Sequence, residues 1–147
     1  MKKLNEKGFT LIELLVVIAI IGLLSTLAVV SLGNARQKAR DARRLSDLKQ
    51  LQTALELYYT DQTAYPAGAG VTLGDQAGNY ACLDSGGWDA IATCASPYMG
   101  QVPADPLSTQ NYVYTAASSS YSITATLETT MNGLEDGITL SPSGIAD

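Results

Sequence analysis

A single glutamate, Glu13, stands inside an otherwise apolar run from Phe9 to Ala35. An acid held near the centre of a bilayer costs about 2–3 kcal/mol, so such a residue normally has a partner and a function. Two cysteines, Cys82 and Cys94, lie twelve residues apart in a Gly-rich stretch. In an exported domain they are expected to form a disulfide that restrains the unfolded chain by about 3 kcal/mol. In a reducing compartment they would remain two thiols. Asp84 and Asp89 near the cysteines, and Glu135 with Asp136 near the C-terminus, carry oxygen ligands of the kind calcium takes. Neither pair has EF-hand spacing, and solvated loop carboxylates are the simpler reading. There is no His, which removes the commonest general base and the commonest metal ligand. Two cysteines without His are too few for a structural zinc site. No nucleophile–base set is visible, and no Gly-rich loop sits where a strand meets a helix. The residue types point away from an enzyme, and no cofactor is expected.

Charge is divided along the chain. All nine Lys and Arg lie at or before Lys49, whereas ten acids and no base follow Gln50. An acidic C-terminal part is a poor partner for nucleic acid, because phosphate contacts need Lys or Arg. Arg36, Lys38, Arg40, Arg43, Arg44 and Lys49, against Asp41 and Asp47, give the middle segment a net charge of +4. Two readings stand: neighbouring subunits neutralise this segment with their acidic heads, or it is a solvated helix face with i,i+4 pairs.

The elements that must position these residues follow from periodicity. Met1 to Gly8 is short and polar, with Lys2, Lys3 and Lys7. From Leu14 to Ala35 runs an uncharged stretch of 22 residues. At 1.5 Å per residue it covers about 33 Å, enough to cross a bilayer. The basic start is expected to stay cytoplasmic, placing the C-terminus outside. Beyond it, Ala35, Ala39, Ala42, Leu45, Leu48, Leu51, Leu55 and Tyr58 recur every three or four residues and predict one apolar helical stripe. No proline occurs before Pro66, so Phe9 to about Tyr59 reads as one helix, stopping within Thr60–Pro66. Ala67 to Pro106, with seven Gly, reads as loop-rich, with Trp88 as a packing anchor. Strands are predicted at Asn111–Thr115, Tyr121–Leu127 and Gly137–Leu140, with a turn at Ser118–Ser120. The fold class is α+β: a long N-terminal helix, its apolar half protruding, and a small C-terminal antiparallel sheet packed on its second half. The expected organisation is a short polar start at 1–8, a transmembrane half of the helix at 9–35, an amphipathic half at 36–60, and a head at 61–147.

The run Gly8-Phe9-Thr10-Leu11-Ile12-Glu13-Leu14-Leu15-Val16-Val17 resembles the processing site of type IV pilins and type II secretion pseudopilins. A secretory signal is cut after its apolar region, whereas here the resemblance implies a cut before it. The resemblance places prepilin peptidase cleavage between Gly8 and Phe9, with N-methylation of Phe9, so residues 1–8 become a leader and the apolar segment is retained for the filament core. It also implies that Glu13 pairs with the new amine of Phe9 on a neighbouring subunit; pairing within its own chain, one turn away, is the alternative. Tyr58-Tyr59-Thr60-Asp61-Gln62-Thr63-Ala64-Tyr65-Pro66 is similar to the helix-ending segment of these proteins. Val102-Pro103-Ala104-Asp105-Pro106 followed by Tyr112-Val113-Tyr114 is similar to the approach to their sheet. Many pilins carry a helix-breaking proline in the membrane segment, where this chain has Val30.

The resemblance implies a structural subunit of a type IV pilus-like filament, with the major pseudopilin of a type II secretion system as the alternative. A non-polymerising membrane-anchored surface protein is the reading from another class, and Glu13 argues against it, because a plain anchor needs no acid in its span. The implied partners are further copies of the chain, the prepilin peptidase, the pilus or secretion assembly machinery, and the membrane that holds the precursor. The implied location is the inner membrane first, then the cell surface or an extracellular filament.

Overall fold

The computed structural model describes residues 8–147. The expected leader, residues 1–8, lies outside the described residues except for Gly8. The fold is the α+β arrangement: helix α1 (Leu11–Gln62), then strands β1 (Ala69–Thr72), β2 (Cys82–Asp84), β3 (Gly87–Asp89), β4 (Pro97–Met99), β5 (Val113–Ala117), β6 (Ser120–Thr126), β7 (Gly137–Ser141) and β8 (Gly144–Ala146). The described residues fall into two compact units, divided between residues 36 and 37.

In the first unit the helix is unbroken through Gly22 and Gly33. Its apolar side chains, such as Ile18, Leu23 and Val29, are exposed. An 18-residue window reaches a mean hydropathy of 2.8, long and apolar enough to cross a membrane. The helix begins at Leu11, two residues later than the sequence pattern suggests. The reason is local: Thr10 and Glu13 form a capping box that sets the first turn.

In the second unit, β1-β5-β6-β7-β8 form a five-stranded antiparallel sheet, and β3-β2-β4 a three-stranded one. The predicted strands appear as β5, β6 and β7, and the two-residue Ser118–Ser119 turn lets Ala117 face Ser120. Along β6, Tyr121, Ile123 and Ala125 are buried and the residues between them are not, as alternation requires. Leu48, Leu51, Leu55 and Tyr58 of the helix pack with Tyr112, Tyr114, Ile123, Ile138 and Leu140 in one core. Each fully buried leucine there stabilises the fold by about 1.5–3 kcal/mol.

Two expectations are corrected. The stretch from Ala67 to Pro106 is not simply loop: it contains β1 and the whole small sheet, and β8 is a further strand. Strands of three or four residues show too little alternation to be read, and Pro97 is admitted because β4 lies at an edge. The helical stripe is also redrawn. Ala35, Ala39 and Ala42 are exposed and Leu45 is half-buried. The buried positions of those turns are instead Asp41, Arg44 and Asp47. A charged face is buried there because other charges meet it. The hairpin that follows β6 turns at Asn132 (φ 55°) and Gly133 (φ 83°), the Asn-Gly pair a tight primed turn favours.

Candidate functional site

The residues singled out for processing and assembly sit at the start of α1. Thr10 is the N-cap. Its backbone N–H and its hydroxyl both donate to Glu13 Oε2, at 2.8 and 2.7 Å. The Glu13 N–H donates back to Thr10 Oγ1 at 3.3 Å. The spacing Thr-x-x-Glu is what lets the two residues satisfy each other's orphan groups at a helix start. The carboxylate is thus held one turn back, toward Phe9, with Oε1 unengaged among the described residues. Phe9 is 85% exposed. Among the described residues, a Cβ placed on Gly8 would meet nothing within 4 Å. The capping box was legible in the sequence, and it is the one signal at this site that periodicity alone passed over.

The cysteines are brought together. Cys82 on β2 and Cys94 form a disulfide with Cα atoms 6.3 Å apart. The bridge ties the small sheet to the loop that follows β3. Asp84 and Asp89 are engaged in shaping that loop. Gly86 N–H donates to Asp84 Oδ1 at 2.7 Å and Ala95 N–H to Asp84 Oδ2 at 3.3 Å. Ala90 N–H and the Thr93 hydroxyl donate to Asp89 Oδ1, each at 2.7 Å. Glu135 and Asp136 lie at the start of the approach to β7, where the Glu135 N–H donates to Asp147 Oδ1. Among the described residues no group of three or more His, Cys, Asp or Glu side chains is arranged to hold a metal ion. Trp88 packs edge-to-face on Tyr114, 5.0 Å between ring centres, in the anchoring role its position suggested.

Part of the basic segment is the solvated face with i,i+4 pairing that the sequence suggested, since Lys38, Arg43 and Lys49 are exposed and Arg43 leans on Asp47 at 3.7 Å. Arg40 and Arg44 behave differently. Arg44 is fully buried and donates to Asp105 through Nε (2.7 Å) and Nη2 (2.9 Å). Its Nη1 donates to Asp41 Oδ1 (2.6 Å) and Glu128 Oε1 (2.9 Å). Arg40 donates to both oxygens of Glu128. Asp41 in turn accepts from the Glu128 and Thr129 N–H groups and the Thr129 hydroxyl. Such bidentate, charge-assisted bonds are the arrangement in which a buried guanidinium is tolerated. Hydrogen bonds from Arg40, reinforced by Arg44, hold the Glu128 carboxyl down at about 2 against its burial. Burial alone would raise Asp41, but the bonds from Glu128, Thr129 and Arg44 outweigh it and hold it below the ordinary range. Burial raises Asp47, which takes a bond from the Tyr112 hydroxyl. Two of the six bases, Arg40 and Arg44, are therefore neutralised within the chain, chiefly by Asp105 and Glu128 far away in sequence, with Asp41 three residues before Arg44. Neither neighbouring heads nor i,i+4 pairing accounts for them.

The family model described as the prokaryotic N-terminal methylation motif matches residues 3–29. Among curated proteins, the type II secretion system core protein G of Aeromonas hydrophila is 41% identical over 66 residues, covering 45% of this chain and 46% of that protein. The protein of the same name from Escherichia coli K12 is 42% identical over 62 residues, covering 42% and 43%. That of Vibrio cholerae is 37% identical over 67 residues, covering 45% and 46%. These matches span under half the length of each relative. No solved structure matches. The family model described as type II secretion system protein G matches residues 31–137, well over half of the sequence, and the chain belongs to that family.

Proposed function

We propose that the chain is a structural subunit of a pilin-type helical filament, and that this filament is the pseudopilus of a type II secretion system. The observation that carries the reading is the protein G match over residues 31–137, which follows directly on the methylation motif at residues 3–29. In this reading the precursor sits in the inner membrane through Phe9–Ala35. A prepilin peptidase cuts between Gly8 and Phe9 and methylates Phe9. The exposed Phe9, and the open space about Gly8 among the described residues, support access of an enzyme to that bond. The free Glu13 Oε1 then takes the charged amine of Phe9 on an adjacent copy, and the apolar helices pack together in the filament core. The assembly machinery of the inner membrane is the partner that adds subunits. The chain's own role is structural, without catalytic or cofactor chemistry, and the filament grows outward from the inner membrane.

The Cys82–Cys94 loop favours a second reading, a surface pilus built by the same processing and packing. One experiment separates the two. Cells lacking the chain are compared with wild type for secreted proteins in the medium and for filaments sheared from the surface, with mass spectrometry of the subunit. Loss of secretion together with an N-methylated Phe9 terminus supports the pseudopilus. Normal secretion with loss of sheared filaments supports the pilus, and an uncut chain that forms no polymer rules out both.

A further inference from the structure

Five aromatic rings stand in one row through the second unit. Tyr59 lies against Tyr65 with ring centres 4.6 Å apart, Tyr65 against Tyr121 at 4.7 Å, Tyr121 against Tyr114 at 6.3 Å, and Tyr114 against Trp88 at 5.0 Å. The three middle rings are buried, and those at the two ends, Tyr59 and Trp88, are half-buried. Trp88 is the single Trp of the chain. On β3 it faces Leu83 of β2, the residue next to Cys82 of the disulfide. Packing accounts for rings gathering in a core, but the polar ends of these rings are partnered unevenly.

Indole and phenol are, with thiols, the side chains that give up an electron most readily, and rings in contact pass it on. A phenol that has lost an electron is a strong acid. It comes to rest as a radical only where a base stands within hydrogen-bond reach to take its proton. Among the buried rings of the row, one has such a base: the Tyr65 hydroxyl donates to Glu56 Oε1 at 2.9 Å. Burial and then this bond push the Tyr65 hydroxyl up to about 12, so the proton stays until the electron goes. The Tyr114 hydroxyl donates to the Pro66 carbonyl, which takes no proton near neutral pH. The Tyr121 hydroxyl and Trp88 Nε1 are buried with no hydrogen-bond partner among the described residues. Tyr98 and Tyr112 also donate to carboxylates, Asp61 and Asp47, but neither ring belongs to the row.

We propose that the row is an electron relay that protects Trp88: when a one-electron oxidant takes an electron from the indole, Tyr65 replaces it and passes its phenol proton to Glu56. The step balances. Trp88 returns to its neutral form, Tyr65 becomes a neutral tyrosyl radical, and Glu56 becomes a carboxylic acid. Tyr121 and Tyr114 supply the rings through which the electron crosses and keep their own protons. The oxidants are radicals of the kind that reactive oxygen produces. Tyr59, half-buried against Tyr65, brings the radical within reach of a small reductant in solvent, such as a thiolate. That reductant supplies one electron, and Glu56 returns the proton. What the relay preserves is the edge-to-face contact of Trp88 with Tyr114, which joins the small sheet to the large one. It operates in the single chain, whether or not the chain polymerises.

The test is pulse radiolysis of the full-length chain in detergent with the azide radical, which at neutral pH oxidises indole in preference to phenol and so enters at Trp88. In wild type the indolyl absorbance should fall as tyrosyl absorbance rises, with a first-order rate that does not change with protein concentration. Y65F should prolong the indolyl radical, and E56Q should slow the transfer, each about tenfold, equal to ~1.4 kcal/mol of barrier. Both variants keep the shape of the side chain, and thermal melts confirm their fold. Y98F should transfer at the wild-type rate. Under sustained radical exposure, Y65F should lose intact Trp88 several-fold faster than wild type, read by mass spectrometry. An indolyl radical that decays in Y65F as it does in wild type would overturn the proposal, as would loss of the tyrosyl signal in Y98F instead. A rate that rises with protein concentration would mean transfer between molecules and would sink the relay as well. Equal loss of Trp88 in Y65F and wild type would show that the row gives no protection.

Discussion

Arg44 shows how a charged residue can occupy a core position. Its five donors face three carboxylates, so its desolvation is offset by short bonds in fixed directions. Removing the cation would leave Asp41 and Asp105 buried with their charge unpaired, held only by neutral donors such as the Thr129 and Leu107 N–H groups. Arg44→Met is therefore expected to destabilise the second unit by about 3–5 kcal/mol, measured by denaturant unfolding of the full chain in detergent. Arg44→Lys should recover little of this, because an ammonium cannot fork to Asp105 and Glu128 together. The same cluster sets an acid limit. Glu128 titrates at about 2 when folded against an ordinary 4.5, so its contribution is full above 4.5 and is lost as pH falls from 4.5 toward 2. Asp41, also held low, adds to this loss, whereas Asp47, raised by burial, works the other way and softens it. Thermal melts from pH 6 to pH 2 should show a falling melting temperature, and Glu128→Gln should flatten the fall. An unchanged slope in that variant would mean that other carboxylates control acid unfolding.

Among the elements, the small sheet depends most on covalent support. Its three strands have three residues each. Three such strands bury little apolar area, and a sheet this small is marginal without help. The disulfide closes a short loop across it and is expected to contribute about 3 kcal/mol. Cys82→Ala with Cys94→Ala should lower the melting temperature, and hydrogen exchange should quicken first in β2, β3 and β4 while β5 to β7 stay protected. Uniform quickening across both sheets would mean that the bridge supports the whole unit. Gly74 illustrates a different constraint on the same region. It takes φ 79° against the backbone of Pro103 and Ala104, where a Cβ would collide, so the chain can run from β1 toward the small sheet only with glycine there.

At the scale of the whole molecule, the proposed function rests on an acid carried by an apolar helix. In the single chain Thr10 caps Glu13, which orders the first turn and leaves one carboxylate oxygen for another donor. Glu13→Ala is expected to leave membrane insertion and cleavage after Gly8 intact, since the span becomes more apolar. It should abolish sheared filaments, counted by electron microscopy. Normal filaments from Glu13→Ala would refute pairing with the Phe9 amine.

The features legible in the sequence alone are those written in neighbouring residues. Gly8, Phe9 and Glu13 against a 22-residue uncharged run, the helix through Tyr58, and the alternation of β6 each follow from local chemistry and from a single period. They were enough to reach the α+β fold and the pilin superfamily, with pilus and pseudopilus both open until the protein G match favoured the second. The tertiary structure alone decided what became of the basic segment. Arg44 meets Asp105 and Glu128 across 61 and 84 residues of chain, and no periodicity reports a contact of that range. For the same reason apolar spacing finds the buried Leu48, Leu51, Leu55 and Tyr58 but runs wrongly through Ala35, Ala39 and Ala42. Apolar spacing identifies a buried face only where hydrophobic burial drives the packing, and in those turns the packing is driven by ion pairs.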